Sequence, residues 1–390
     1  MPAKNPPHWD LSNVYPSLSS SKYAADFKKL QKLLNEQEAF LAEKVSQVNA
    51  SSPEGVIAET ASALINRFNE ILILAGTLRS YLESFISTDS YNKEALKKLS
   101  EYELASVKTD KVFMQARAWI GRVAEKLPAA IKLNANASAH AFFLKEAAEQ
   151  SKYLMSESEE TLGSELNLSG GNAWEKLQGT VTSQLSVDFE LDGKVQKLPM
   201  PALINLRSHP DESVRRRAYE TENAAWETVK ESLAAAMNGI KGEVNTLNRH
   251  RGRKDAIHGS IDIARLDRET LETMLDAMKD SFPMFRKYYK AKAARFGTKK
   301  LPWWNIYAPS GEAKTSYEFD EAREFILEHF GGFSPDLKDF AARAVEHNWI
   351  DAEQRDGKRG GAFCMDVPAV GESRIMRSEE HTSELQSLRH

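Results

Sequence analysis

The chain has 390 residues, 41% of them apolar and 28% charged, and its 52 basic and 56 acidic side chains leave a net charge of −4. This length suffices for two or three domains, and the charge balance excludes the strongly basic surface typical of nucleic-acid binding. No window approaches 18 uncharged apolar residues, so no membrane-spanning helix is predicted. The only cysteine, Cys364, excludes an internal disulfide and a thiolate zinc site. Because the start also lacks a secretory pattern, we expect a soluble cytoplasmic protein.

Amphipathic helices dominate the first 250 residues. Residues 61–87 place apolar side chains at the i, i+3, i+4, i+7 spacing of a helix that buries one face. Residues 23–48 and 91–125 are also helix-rich. The segment from 211 to 249 predicts one long helix, which is packed rather than part of a coiled coil because no strict heptad persists.

Three later helices have recognisable ends. Asp267 is a predicted N-cap. A helix over residues 320–330 is expected to stop at Gly331-Gly332, where glycine permits a left-handed cap. Ser334-Pro335-Asp336 predicts the next helix start, with proline in the first turn. The helix after Asp267 should bury Leu271, Met274, Leu275 and Met278.

Strand signals are few. Alternating residues over 180–199 flank Asp192-Gly193, a pair that favours a hairpin turn. Residues 360–365 form a second, glycine-led apolar segment, in which Cys364 is interpreted as a small core residue rather than a nucleophile.

Local motifs identify no catalytic site. None of the nine histidines has a partner at i+4, the spacing of two metal ligands on one helix face. The nearest approach, His381 with Glu384, has Leu385 where an inverted zinc motif needs a second histidine. The serine-hydrolase, P-loop and dinucleotide motifs are absent from the sequence.

Two basic clusters and one aromatic loop have competing interpretations. Residues 215–217 and 250–254 are interpreted as solvated faces paired with nearby acids, in preference to a nucleic-acid site. For the loop over 303–309, packing at a domain interface is preferred to substrate contact.

Several segments resemble one family. They are Trp9-Asp10-Leu11-Ser12 and residues 156–185, 215–220, 245–251, 301–312 and 330–376, of which the last is the most specific. These segments resemble oligoendopeptidase F and its relatives, zinc metallopeptidases of the thimet-oligopeptidase type. One departure is Asn305, where relatives commonly carry aspartate.

The resemblance implies a fold that is mostly α: a multi-helical zincin-type oligopeptidase, clam-like with a deep channel, one small β-hairpin near 180–199 and a short edge strand. It divides the chain into an N-terminal helical region (1–115), an oligopeptidase-F-type N-terminal domain (116–205) and the first part of the catalytic domain (206–376). The similarity stops at Arg377, so residues 377–390 are interpreted as a non-native tail.

The resemblance also implies a function. Family members are metalloendopeptidases that hydrolyse short peptides in the cytoplasm with a zinc-activated water, held by H-E-x-x-H and a third acidic ligand. The sequence contains no H-E-x-x-H. We therefore expect an incomplete catalytic region with no zinc ligands and no catalytic residues, inactive as it stands.

The expected substrate contacts are Gly361, Ala362 and Phe363. By resemblance they lie along the bound peptide, because an edge strand pairs its backbone groups with an extended substrate and glycine permits close approach. The alternative to a peptidase is a non-catalytic helical protein that binds peptides or other partners. The sequence leaves the oligomeric state open.

Overall fold

The computed structural model describes residues 6–311, 317 and 319–377, and these residues are mostly helical. The predicted His381–Leu385 near-motif and the predicted tail after Arg377 lie outside the described residues. Within the described part, no helix combines the length and the apolarity needed to cross a membrane.

Helices of the first half surround α2 (Glu54–Thr88). Its face of Ile57, Leu64, Ile71, Leu78 and Leu82 is at most 3% exposed, as the predicted helix over 61–87 requires. The helices of this half are α1 (Ser21–Glu43), α2 (Glu54–Thr88), α3 (Lys93–Arg122), α4 (Leu127–Ile131), α5 (Ala135–Ala139), α6 (Ala141–Gln150), α7 (Glu157–Asn167) and α8 (Gly171–Gln184).

A hairpin follows α8, formed by β1 (Ser186–Leu191) and β2 (Lys194–Pro199) around the turn at Asp192 and Gly193. Its predicted start at residue 180 is wrong, because residues 180–184 complete α8. In that last turn Ser183 is 1% exposed, so packing of the helix outweighs the strand preference of the threonines and valine there.

The long helix predicted from 211 to 249 is confirmed as α10 (Glu212–His250), which follows the short α9 (Met200–Asn205). Asp211 caps it by accepting a hydrogen bond from the Ser213 backbone N–H at 2.7 Å. The short α11 (His258–Ile263) then leads to α12 (Arg268–Arg295).

The predicted cap of α12 is confirmed, since Asp267 accepts a hydrogen bond from the Thr270 backbone N–H at 2.7 Å. Its predicted core face is wrong: Met274, Leu275 and Met278 are 40–53% exposed and Leu271 is half-buried. No described element packs along this face, and burial is limited to the last turns of the helix.

The predicted stop of the next helix at Gly331-Gly332 is also wrong. Helix α13 (Phe319–Phe333) continues through both glycines, neither of which has a positive φ. It ends before Ser334, which is extended because it precedes a proline, and α14 (Pro335–Glu346) begins there.

The last described segment is a three-stranded sheet of β3 (Ile350–Asp351), β4 (Ala362–Val367) and β5 (Glu372–Arg377), in the order β3-β5-β4. Strand β3 is parallel to β5, and β4 is antiparallel to it. The predicted edge strand is thus β4, packed against α2. Arg377, the first residue of the predicted tail, pairs with Ala362.

Candidate peptide-binding edge

Strand β4 begins directly after Gly360 and Gly361. These glycines connect it to a buried ionic cluster that includes Asp351 and Lys358. Gly361 has a φ of 98°, a value that glycine adopts readily and other residues rarely do. The strand that follows is an edge, since among the described strands only β5 pairs with it.

Alternate side chains of β4 face opposite sides. Phe363 and Met365 pack against the core, and Val367 is 1% exposed. Ala362 and Cys364 are exposed on the other side, so the interpretation of Cys364 as a core residue is wrong. Because the period of a strand is two, burying Phe363 and Met365 places Cys364 outside.

The backbone groups of Cys364 point away from β5. The Ile375 N–H donates to the Trp349 carbonyl at 2.8 Å, so Ile375 directs its N–H and C=O toward β3. Ile375 is the partner of Cys364 in the antiparallel ladder. Hydrogen-bonded and non-hydrogen-bonded pairs alternate there, so Cys364 and, two residues earlier, Ala362 direct their N–H and C=O to the outer edge.

A second contact agrees with this orientation. The Ser80 hydroxyl on α2 donates to the Asp366 carbonyl at 2.7 Å, from outside the ladder. Asp366 is thus covered, whereas Ala362 and Cys364 have no backbone partner on that edge within the described residues.

The structure separates the three predicted contact residues. Ala362 presents its backbone to the outer edge, and Gly361 precedes it at the turn. Phe363 pairs with Met376 and packs its ring on the core. Sequence reasoning missed Cys364, which the two-residue period from Ala362 identifies.

An ion pair fixes the start of β4. Lys358 and Asp351 are 0% and 1% exposed, and the Lys358 ammonium donates to the Asp351 carboxylate at 2.6 Å. Arg355 adds two hydrogen bonds to the same carboxylate, both at 2.9 Å. Burial by itself raises the pKa of Asp351, but the hydrogen bonds and charges of Arg355 and Lys358 outweigh it, so the pKa is lowered. The carboxylate therefore stays ionised and holds β3 to the segment that leads into β4.

The aromatic loop packs on the start of α10. Trp304 donates its indole N–H to Glu212 at 3.1 Å, and Asn305 is fully buried against Arg215. These two residues thus pack within the predicted region 206–376, and the preference for a domain interface stays a prediction. Trp303 and Tyr307 remain 71% and 64% exposed.

Some members of the basic clusters are paired with acids. Arg216 contacts Glu220 at 2.8 Å, and Arg251 makes two hydrogen bonds to Glu160. These pairs agree with the interpretation as solvated, salt-bridged faces, but Arg215 does not, because it is 2% exposed and bonds to Asn305 and to backbone carbonyls.

The described residues do not fit a zinc ion. They contain no group of three or more His, Cys, Asp or Glu side chains arranged to hold a metal. Zinc chemistry is therefore assigned to none of the described residues.

The arrangement of helices, hairpin and edge strand defines a class, the multi-helical oligopeptidase fold. A structure described as a putative oligoendopeptidase F from Bacillus anthracis str. Ames superposes with a TM-score of 0.69 at 15% identity, over 89% of this chain and 61% of that one. Oligoendopeptidase-F from Enterococcus faecium gives 0.63 at 14% identity, over 85% and 66%.

Sequence comparisons match two related family models. The model of peptidase family M3 matches residues 205–385, and that of oligopeptidase F matches residues 123–186. Over these residues the chain resembles peptidase family M3 and, within it, oligopeptidase F. Oligopeptidase PepF of Bacillus subtilis (strain 168) is 20% identical over 98% of this chain, and group B oligopeptidase PepB of Streptococcus agalactiae is 24% identical over 44% of it. The chain spans 56% of the former and 28% of the latter.

Proposed function

We propose that this chain binds short oligopeptides in extended form along the outer edge of β4. It is the substrate-binding part of a zinc-dependent metalloendopeptidase of the oligoendopeptidase F type, which acts on peptides in the cytoplasm. The observation that carries the proposal is the outward N–H and C=O of Ala362 and Cys364 on an edge backed by the core.

Strand addition explains how varied peptides would bind. Outward groups recur every second residue, about 7 Å apart, which matches the repeat of an extended peptide. The hydrogen bonds involve only backbone atoms, so they tolerate many peptide sequences, while side-chain pockets add selectivity. Ala362 and Cys364 are the proposed backbone contacts and Gly361 lies at their start, whereas Phe363, the third residue of the predicted set, supports the edge from the core side.

Hydrolysis is proposed to need more than these residues. The zinc ligands of the family belong to an H-E-x-x-H motif that the sequence does not contain. The polypeptide alone should therefore not cleave a fluorescence-quenched peptide, with or without added zinc. Cleavage that a chelator abolishes would contradict this part of the proposal.

Binding is tested with peptides that lack chosen backbone donors. Calorimetry should detect the binding of a short peptide to the chain. N-methylation of every second peptide residue, the ones whose N–H groups pair with β4, should abolish the heat of binding. Methylation of the intervening residues should leave affinity within about threefold, because their N–H groups face away from β4. Equal losses of affinity on methylation of the pairing and of the intervening residues would exclude strand addition. A Cys364→Ser variant should bind normally, since the backbone is unchanged.

The alternative function is a non-catalytic peptide-binding protein, which the lack of H-E-x-x-H favours. Both functions use the same edge strand, and the reading frame of the gene distinguishes them. A reading frame that continues into H-E-x-x-H supports the peptidase, and a genuine stop codon after His390 supports the binding protein.

A further inference from the structure

An arginine and a glutamate lie close together near the start of β4. The Arg359 guanidinium is 3.6 Å from the Glu83 carboxylate on α2, and the two side chains are 28% and 25% exposed. A Cβ built at Gly179 in α8 would lie only 3.2–3.4 Å from the guanidinium, which therefore rests against the backbone of α8. Arg359 thus holds its charge in a half-buried position between two helices of the first half of the chain.

Contacts of α2 place this pair beside the outer edge of β4. The Ser80 hydroxyl donates to the outward carbonyl of Asp366, and the Ser87 carbonyl accepts the Arg359 backbone N–H at 2.9 Å. At 100° and 1.5 Å per residue, Ser80, Glu83 and Ser87 share one face of α2, and its two contacts lie about 10 Å apart. Strand β4 covers a similar length, about 13 Å, from its first residue to Asp366. The pair of Glu83 and Arg359 therefore lies on the outer side of β4, toward its first residue.

The guanidinium of Arg359 keeps donors for a ligand. Its separation of 3.6 Å from Glu83 is longer than a hydrogen bond, so the ion pair does not use up the N–H groups. A planar guanidinium binds a carboxylate through two parallel hydrogen bonds. Every unblocked peptide carries a carboxylate at one fixed place, its C-terminus.

We propose that Arg359 binds the terminal carboxylate of a peptide added antiparallel to β4, an inference that rests on the proposed function. In an antiparallel pair the peptide runs opposite to β4, so its C-terminal end lies toward Gly361 and Arg359. The chain turns at Gly361, whose φ is 98°, so the ladder ends at Ala362 and the peptide ends close to it. A parallel peptide would bring its N-terminal ammonium to Arg359, where like charges repel. The site thus selects peptides by the position of their C-terminus and not by their sequence.

Calorimetry with one short peptide in free-acid and amidated forms tests the proposal. The 390-residue chain should bind the free acid about tenfold more tightly, because amidation removes the carboxylate that accepts charge-assisted hydrogen bonds. Arg359→Gln should bind both forms as weakly as the unaltered chain binds the amide. The control is Arg216→Gln, which changes an exposed arginine on α10 and should retain the preference for the free acid. A preference that survives Arg359→Gln would overturn the proposal.

Two modified peptides test the orientation and the source of the carboxylate. Acetylation of the peptide N-terminus should leave the affinity within about threefold, because that end lies away from Arg359 in an antiparallel pair. An amidated peptide that ends in aspartate should bind within about threefold of one that ends in asparagine, because its carboxylate lies off the backbone path. A tenfold effect of acetylation, or full recovery by the aspartate, would contradict the assignment to the C-terminus.

The outcomes also separate this role of Arg359 from the proposed function. If peptides bind equally well as acids and as amides, the role of Arg359 is excluded while binding along β4 stands. If no peptide binds in either form, the proposed function and the role of Arg359 are both excluded.

Discussion

Arg215 is a buried cation whose nearest partners are uncharged. It is 2% exposed, and its guanidinium donates to the Asn305 side-chain oxygen at 3.2 and 2.8 Å and to two backbone carbonyls. Lys292 lies nearby, and burial followed by the charge of Arg215 lowers its pKa. The amide oxygen of Asn305 is therefore the main side-chain acceptor available to Arg215.

Truncating that acceptor should destabilise the protein. Asn305→Ala leaves two guanidinium N–H groups of Arg215 buried without a partner, which costs about 2–3 kcal/mol. The measurement is the urea unfolding midpoint followed by tryptophan fluorescence. The control is Arg216→Ala, which removes an exposed pair with Glu220 and should cost less than about 0.5 kcal/mol. Equal effects of the two variants would show that the buried network is unimportant.

Helices α8 and α10 approach closely because a glycine faces a tryptophan. A Cβ built at Gly239 would overlap the indole ring of Trp174, whereas one built at Gly242, less than one turn away, meets nothing within 4 Å. At the start of α8, Glu243 also accepts the Gly171 N–H. Gly239 and Gly171 thus serve contact between the two helices, whereas Gly242 does not.

Two alanine substitutions in the same helix should have opposite effects. Gly239→Ala pushes α8 from α10 and should destabilise by about 1–3 kcal/mol through overpacking. Gly242→Ala gains helix propensity without a clash and should stabilise by about 0.5–1 kcal/mol. Thermal unfolding of the two variants measures the difference. A stabilising Gly239→Ala would contradict the packing described for Trp174.

Elements whose signal is local were predictable, and elements defined by distant contacts were not. The buried face of α2, the span of α10 and the cap at Asp267 are written in adjacent residues. Strands β3 and β5 pair Ile350 with Ile375 across 25 positions, so no short window predicts them. The stop predicted at Gly331-Gly332 failed because a glycine permits a helix end without requiring one.

The candidate edge was predictable only in part. Resemblance indicated the segment of Gly361, Ala362 and Phe363, but which backbone groups face outward depends on the pairing of β4 with β5. Once Ile375 is known to bond toward β3, the outward role of Cys364 follows. That information lies in the sheet and not in the strand's own sequence.

At the scale of the whole molecule, ion pairs join distant parts of the chain. Glu160 at the start of α7 accepts two hydrogen bonds from Arg251 at the end of α10. Asp351 joins β3 to the segment before β4, and Asp10 near the start of the chain accepts, through its carbonyl, a hydrogen bond from Arg374 in β5. Because Glu160 and Asp351 act through ionised carboxylates, acid should loosen these connections.

Stability should therefore fall in acid, in part through Asp351. Its pKa is lowered in the folded state, so the stability it contributes is fully present above its unfolded value of about 3.9 and is lost as the pH falls through the folded value. Asp351→Asn removes the charge opposite Lys358 and Arg355 and should cost about 3 kcal/mol at pH 7. The difference between the two proteins should shrink as the pH is lowered below about 4, where the wild-type carboxylate also becomes neutral. Urea unfolding across the pH range measures it, with the exposed Asp366→Asn as control. A difference that stays constant down to pH 2 would mean that Asp351 acts through shape and not through its charge.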